Sequence, residues 1–412
     1  MILSSKGQSI FVAAKPANRY GAYRSEPYYS NAGNVVTPET AMGIPAVLGA
    51  ITMISNSIAS MRLQILDRNS PRGNNIVSRG AMVAMLQHQP NSDMTGVDFW
   101  SYIAASLTGR GNAYAAKIRN AKGDVTELYP IPAQHVTPYR DDKNRKLFRV
   151  RIYEGTSFVD QDFDEQSIIH FKGDSILGDP LVGDSPISIQ RHMLGSQLAQ
   201  IDYQAANYSN GMMIKGILSV PDRLPAETAA LLKDAWRQNY GGVNSAGDVA
   251  VLSDGANFQA VSLSPEDAQF IQTRRWGNTE VAQIFQIPSS RLNGESSTGT
   301  YQNQSQDDLF YYSQAVMPRV RRIEAALNMD KDLFGALSAW EPRFNENDIL
   351  RADIKTRYEV HRIGREIGVL SANDIRDSED MAAIDGGDDY TPLNTGGSGG
   401  NVDSIDAGKA GA

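Results

Sequence analysis

The sequence predicts an α+β, multi-domain chain. Three observations carry that prediction. Residues 114–171 are rich in strand patterns. Two long helical patterns, at about 187–209 and 265–286, bracket a compact β–α–β insert. A third long helix follows, with Pro318 in its middle.

The 412 residues are enough for two to four domains, at roughly 150 residues each. Hydrophobic residues make up 41% and charged residues 21%, as in ordinary globular chains. There is no cysteine, which excludes disulfides and thiolate metal sites. The net charge is −8, against a protein that grips DNA through a basic face. Residues 385–412 hold five acids and one base, so much of the excess charge sits at one end. The most apolar stretch, 41–61, is interrupted by Thr52, Ser55, Asn56, Ser57 and Ser60, so it reads as a buried helix and not a membrane span.

Taken in order, residues 1–40 show no clear period and read as a flexible arm, with possible helix starts at Thr37-Pro38 or Ile44-Pro45. Val47, Ile51, Ile54, Ile58 and Met61 then form one apolar helical face. Ser78 is expected to cap a short helix ending before Pro90. Thr95 and Asp98 have capping-box spacing for the next one. Strands at 114–119 and 125–131 flank the turn Asn120–Gly123, and further strands are expected at 147–153 and 168–171.

Ser185-Pro186 starts the first long helix, whose Leu194, Leu198, Ile201, Ala205 and Tyr208 form a narrow seam of coiled-coil type. The insert reads strand (214–220), helix (225–240) and strands at 249–252 and 258–263. The second long helix must end before Pro288. The third is expected to start near Ser305 and to kink at Pro318, which lacks a backbone donor. A strand at 337–344 and helices at 347–367 and 372–381 close the ordered part. The Gly-, Ser-, Asp- and Asn-rich tail is expected to be disordered.

Chemical motifs are weak. Gly173-Asp174-Ser175-Ile176 follows an apolar strand and resembles the nucleophile block of SGNH hydrolases, with Ser175 as candidate nucleophile. The Asp-x-x-His base motif of those enzymes is absent, and the nearest Asn-Asp, Asn373-Asp374, lies on an expected helix. A turn explains the motif better. The five histidines lack metal-ligand spacing, so no metal and no cofactor is expected. Trp236, Tyr240 and Trp276 suit packing better than base stacking. Arg274-Arg275 fits phosphates or a neighbouring helix equally well.

Several segments in fixed order resemble a known family. They include Leu107–Tyr114 (LTGRGNAY), Leu128–Pro132 (LYPIP), Ile169–Lys172 (IHFK), Gly183–Ile187 (GDSPI), Ala282–Pro288 (AQIFQIP), Arg321–Asn328 (RRIEAALN) and Leu370–Arg376 (LSANDIR). The order is similar to that of tailed-bacteriophage portal proteins of the HK97 type. Asp374 stands where the family more often has Glu, and Gly109-Arg110-Gly111 replaces a more apolar run.

The resemblance implies a portal fold in a ring oligomer and names its parts. Residues 41–186 would be an α/β wing, with the strand at 330–345 returning to it. Residues 187–210 and 265–288 would be the two stem helices and 211–264 the clip. Residues 289–305 would be the tunnel loop, 306–329 the kinked helix, 346–385 the crown and 386–412 the tail. It further implies a dodecamer at one capsid vertex that passes double-stranded DNA without reading its sequence. The implied partners are the large terminase subunit, then the head–tail adaptor, and the major capsid protein or scaffold, with no membrane.

On this reading the channel loop offers Ser296, Ser297, Thr298, Thr300, Tyr301, Gln302, Asn303 and Gln304 to DNA. The clip offers Glu227, Lys233, Asp234 and Arg237 to a partner, with Leu231, Ala235 and Trp236 packed beneath them. The stem offers Leu194, Leu198, Ile201, Arg274 and Arg275 to neighbouring subunits. No catalytic residue is expected. The alternatives are the SGNH-like hydrolase and a head–tail adaptor or other virion ring protein.

Overall fold

The computed structural model describes residues 28–69, 75–154, 157–176, 180–209, 216–219, 225, 227, 231, 257–260, 266–293, 301–335, 338–346, 354–379 and 381–392. They divide into two compact units, 1–345 and 346–412.

The first unit opens with β1 (Tyr28–Tyr29) paired to β2 (Val35–Val36), then α1 (Pro38–Ala41), where Thr37 and Thr40 form a reciprocal cap. Part of the expected flexible arm is therefore ordered. Ile44-Pro45 starts a helix as well, α2 (Pro45–Ser60), so both expected starts are used. The α2 core face carries Val47, Ile51, Ile54 and Ile58, all buried. Strands β3 (Leu63–Asp67) and β4 (Asn75–Ile76) follow, then α3 (Ala81–Val83), which runs into a wide π turn at Ala84–His88. Gly80 precedes α3, so the helix begins later than the expected cap at Ser78.

Helix α4 (Gly96–Arg110) has the predicted cap, with Thr95 and Asp98 bonded reciprocally. Those bonds from Thr95 hold the Asp98 carboxyl below its ordinary pKa. The helix ends at Gly111 in the left-handed region, φ 70. A Cβ there would collide with the Asp184 carbonyl, so only glycine allows the closure.

Two three-stranded sheets follow. In one, β5 (Asn112–Arg119) lies between β6 (Val125–Ile131) and β10 (Ile168–Lys172). The other runs β7 (Val136–Arg140), β8 (Lys146–Glu154) and β9 (Ser157–Asp164). Pro138 is tolerated because β7 is an edge strand. Tyr114, Ile131, Phe148, Val150, Phe163 and Ile168 from the two sheets form one buried cluster.

Next come α5 (Pro186–Ile189) and α6 (Arg191–Ser209), then β11 (Gly216–Ser219) paired to β12 (Asn257–Ala260). The long helix α7 (Glu266–Phe285) stops before Pro288, as expected. Helix α8 (Ser289–Asn293) and helix α9 (Tyr301–Phe310) flank residues 294–300. A π segment, Tyr311–Val316, leads into α10 (Met317–Met329). The widened turn falls just before Pro318, where a regular helix would lose a hydrogen bond and crowd the preceding carbonyl. Strand β13 (Trp340–Phe344) pairs antiparallel with β3, matching Phe344 to Leu63.

Glu324 on α10 is buried and accepts from the Phe344 backbone N–H at 2.8 Å, which ties α10 to β13. Burial pushes its carboxyl above the ordinary value, despite the bonds from Phe344 and Arg321. A raised folded pKa means that the folded state holds the proton more tightly, so stability falls as pH rises through this group. Glu324→Gln keeps an acceptor for Phe344 without the charge. It should melt above the parent near neutral pH, with the gap closing towards about pH 4. A gap that widens in acid would reverse the assignment.

The second unit holds α11 (Ile354–Glu366) and α12 (Ala372–Ser378). Glu379 binds both Arg357, at 2.6 Å, and His361. The tail is not wholly disordered. Residues 381–392 return to these helices, where Asn373 bonds Ile384 and Asp388, and Arg365 bonds the Thr391 carbonyl at 3.1 Å. Polar side chains hold this segment, which is why an apolar-pattern reading overlooks it. The remainder, 393–412, lies outside the described residues. Ending the chain after Pro392 should leave the melting of this unit unchanged. Ending it after Gly386 should cost roughly 1–3 kcal/mol, from several lost hydrogen bonds. Equal melting of the two truncations would show that residues 387–392 contribute nothing.

Candidate functional site

The long helices begin at Ser185, whose hydroxyl accepts from the Ser188 N–H at 3.3 Å and donates to the Gly109 carbonyl at 2.9 Å. The first stem helix is broken at Gln190 and not continuous from 187, so α6 starts afresh at Arg191. Helices α6 and α7 approach closely at Gly277, whose carbonyl accepts from Gln197 at 3.0 Å.

The seam residues do not share one fate. Leu194 is fully buried inside its own chain. This corrects the expectation that it faces a neighbouring subunit, because no surface is left to cover. Leu198 and Ile201 are half-buried, and Ala205 is exposed. Arg274 and Arg275 are both exposed.

The segment expected to be the tunnel loop, 289–305, is helical at both ends. Ser289–Asn293 is helical, and Tyr301, Gln302, Asn303 and Gln304 belong to the start of α9. No Gly or Pro occurs between Gly299 and Pro318, so nothing stops the helix from starting at Tyr301. Ser296, Ser297, Thr298 and Thr300 lie outside the described residues.

The two feet of this loop are bound to each other. Ser290 donates to Asp307 at 2.9 Å, and Arg291 pairs with Asp308. The Arg291 guanidinium also lies 4.4 Å from the centre of the Tyr311 ring, and the Tyr311 hydroxyl bonds Ser57 on α2 at 2.8 Å. Loop entry, loop exit and core helix thus share one polar knot. The sequence reading missed Ser290, Arg291, Asp307 and Asp308. Their signal was two serines and an arginine just before the loop and two acids just after it.

In the segment expected to be the clip, Glu227 is helical and exposed. Leu231 is also helical and 70% exposed, which corrects the expectation that it packs inward. Helical spacing puts these two residues on one face, so that face is turned outward. Lys233, Asp234, Ala235, Trp236 and Arg237 lie outside the described residues.

Ser175 donates its hydroxyl to the Val182 carbonyl at 2.7 Å, a turn bond and not a nucleophile–base contact. His170 is stacked on Tyr114 at 4.6 Å and bonded to Asn112, and burial holds its pKa well below the ordinary value. Among the described residues no helix is long and apolar enough to cross a membrane.

The family model for phage portal protein matches residues 45–380. A probable portal protein of Streptomyces phage phiC31 is 30% identical over 379 residues, 88% of this chain and 81% of that one. The portal protein of Enterobacteria phage HK97 is 27% identical over 361 residues, 86% and 82% of the two chains. The fold is similar to an HK97-family phage portal protein from Corynebacterium diphtheriae, with TM-score 0.54 and 18% identity over 77% of this chain and 98% of that one. It is also similar to a chain in the neck of a native gene transfer agent particle computed with C12 symmetry, with TM-score 0.55 and 19% identity over 83% and 91%.

The described residues form a mixed α/β body with two long helices, α6 and α7, followed by two helical feet bound to each other. The chain belongs to the phage portal protein family.

Proposed function

We propose that this chain forms the ring at one capsid vertex through which double-stranded DNA enters during packaging and leaves on ejection. One observation carries the proposal. Two helical feet, bound to each other and to α2, follow directly after the long helix α7, and the polar sequence 294–300 connects them. The sequence between these feet carries weak hydrogen-bonding groups and a single charge, Glu295. Ser297, Thr298, Thr300 and Gln302 can exchange contacts with phosphates as a duplex slides. The net charge of −8 suits passage, since many lysine–phosphate contacts would arrest it.

On this reading the subunits form a dodecamer, and the similarity to a neck computed with C12 symmetry supports that number. The exposed face of the clip helix, with Glu227 and Leu231, takes the large terminase subunit and afterwards the head–tail adaptor. Lys233, Asp234 and Arg237 are assigned to the same surface, and Leu198, Ile201, Arg274 and Arg275 to contacts between subunits. The partner in the capsid shell is the major capsid protein or scaffold. No membrane and no cofactor takes part.

Native mass measurement and negative-stain imaging of the purified protein test the ring, and a monodisperse monomer at micromolar concentration would refute it. Reversing charge at Glu227 and Asp234 should weaken terminase pull-down while the ring survives. Undiminished capture by that variant would place the docking surface elsewhere.

A further inference from the structure

Trp276 on α7 is 67% exposed, and an indole with one apolar face and a polar N–H is a side chain enriched at protein interfaces. Tyr203 on α6 is exposed as well, and with Ala199, Gln200 and Thr273 it lines a shallow hollow. A deeper cleft of about 300 Å³ adjoins that hollow, sharing Gln200 and Thr273 with it, and opens between α2, α6, α7 and α8. Ile44, Pro45, Met53, Ile201 and Leu292 give it an apolar floor, and Arg274 stands among its lining residues. From α7 the cleft is lined by Thr273, Arg274, Gly277 and Asn278. At about 100° per residue, Trp276 lies roughly 130° around the helix from the middle of that face. One chain therefore carries an aromatic knob on one flank of its helix pair and an apolar socket on another.

Resting on the ring proposed above, we infer that Trp276 of each subunit inserts into the α2–α6–α7–α8 cleft of the next subunit. A closed ring uses heterologous contacts, in which one surface of each copy meets a different surface of its neighbour. Knob and socket on separate flanks meet that requirement, whereas a two-fold dimer would need one self-complementary patch. The chemistry matches too. An indole face suits the apolar floor, the Arg274 guanidinium can lie over the ring, and the Gln200 side-chain carbonyl can accept the indole N–H. Gly49, at the cleft wall, leaves the space open, since a Cβ there would meet only the Leu292 side chain, at 3.8 Å. The occupant is thus a second copy of this chain, and Trp276 is the residue that sets the register between subunits.

The cysteine-free chain allows a direct test in full-length protein. Gly49→Cys chains and Trp276→Cys chains are co-assembled, then treated with a short bis-maleimide. Mixed rings should yield a covalent dimer that neither variant gives alone. Wild-type-sized rings with no mixed dimer, or with Trp276→Cys freely labelled by a bulky maleimide, would overturn the inference while leaving the ring intact. Failure of the unmodified protein to form rings would instead refute the ring. Should Trp276→Cys not assemble, Gly49→Leu decides. It adds bulk at the socket wall, where a Cβ meets only the Leu292 side chain at 3.8 Å, and should weaken assembly by roughly thirtyfold or more in subunit concentration. Full assembly of Gly49→Leu at wild-type concentration would overturn the inference.

Discussion

Lys117→Met should destabilise the first unit by about 3–5 kcal/mol, the cost of leaving buried acids without their cation. Lys117 lies in the middle of β5, and its side chain is 1% exposed. Its ammonium meets Asp330 and Asp332, each at 2.7 Å, and the Glu165 carbonyl at 3.2 Å. The Asp330 side chain is 6% exposed, and Asp332 is shared with Arg119. The cluster fastens the turn after α10 to the central sheet, and so sets where β13 starts back towards β3.

Burial works to raise the Asp332 carboxyl, but hydrogen bonds from Arg119 and Lys117 outweigh it and hold the group below its ordinary value. A depressed folded pKa gives stability that is present above the unfolded pKa and lost as pH falls through the folded one. The cluster should therefore fail in acid, opposite in sign to Glu324. Guanidinium unfolding at neutral pH, followed by tryptophan fluorescence, measures the first effect as a lower midpoint at unchanged slope. Adding Asp330→Asn and Asp332→Asn to Lys117→Met should recover most of the loss, because the penalty comes from unpaired charge and not from lost packing. A loss under about 1 kcal/mol would mean that the pair behaves like a surface salt bridge.

Elements whose signals are local were legible from the sequence. The Thr95–Asp98 cap, the Asn120–Gly123 hairpin and the end of α7 before Pro288 all depend on residues within a few positions of each other. Features that depend on partners far along the chain were not. Strand β3 is defined by β13, more than 270 residues away, and an eight-residue strand with four acids or amides, β9, gains its form only by pairing with β8. Lys117 looked like an ordinary polar residue in a short strand, because its acids come from positions 330 and 332. The candidate site followed the same rule. Its polar stretch was recognisable from composition, but the feet beside it are joined by one ion pair, one hydrogen bond and a ring contact across a gap, which periodicity does not reveal. The seam misled for a related reason. A narrow apolar stripe marks burial, but it does not say whether the cover is the same chain or the next one, and for Leu194 it is the same chain.

Ser297→Cys, labelled with a bulky maleimide, should abolish DNA packaging while leaving the ring assembled. Seven residues separate Asn293 from Tyr301, and a maximum contour of about 3.5 Å per residue limits any stretch of that length to roughly 14 Å from its ends. The feet cannot retreat to make room, because Ser290–Asp307, Arg291–Asp308 and Tyr311–Ser57 tie them to each other and to the core. On the proposed function, an added group at every Ser297 around a ring would occupy the channel. The cysteine-free sequence restricts labelling to that position. Unlabelled Ser297→Cys should package normally, since one small hydroxyl among many contributes little to a sliding contact. The same variant should cross-link between subunits, as a circle of loops brings identical positions close. The feet give a second, separable arm. Arg291→Ala removes both the pair with Asp308 and the cation over Tyr311, and should cost about 1–2 kcal/mol locally with a partial loss of packaging. Normal packaging by the fully labelled ring, with no cross-links, would place residues 294–300 away from the channel and remove the observation on which the proposed function rests.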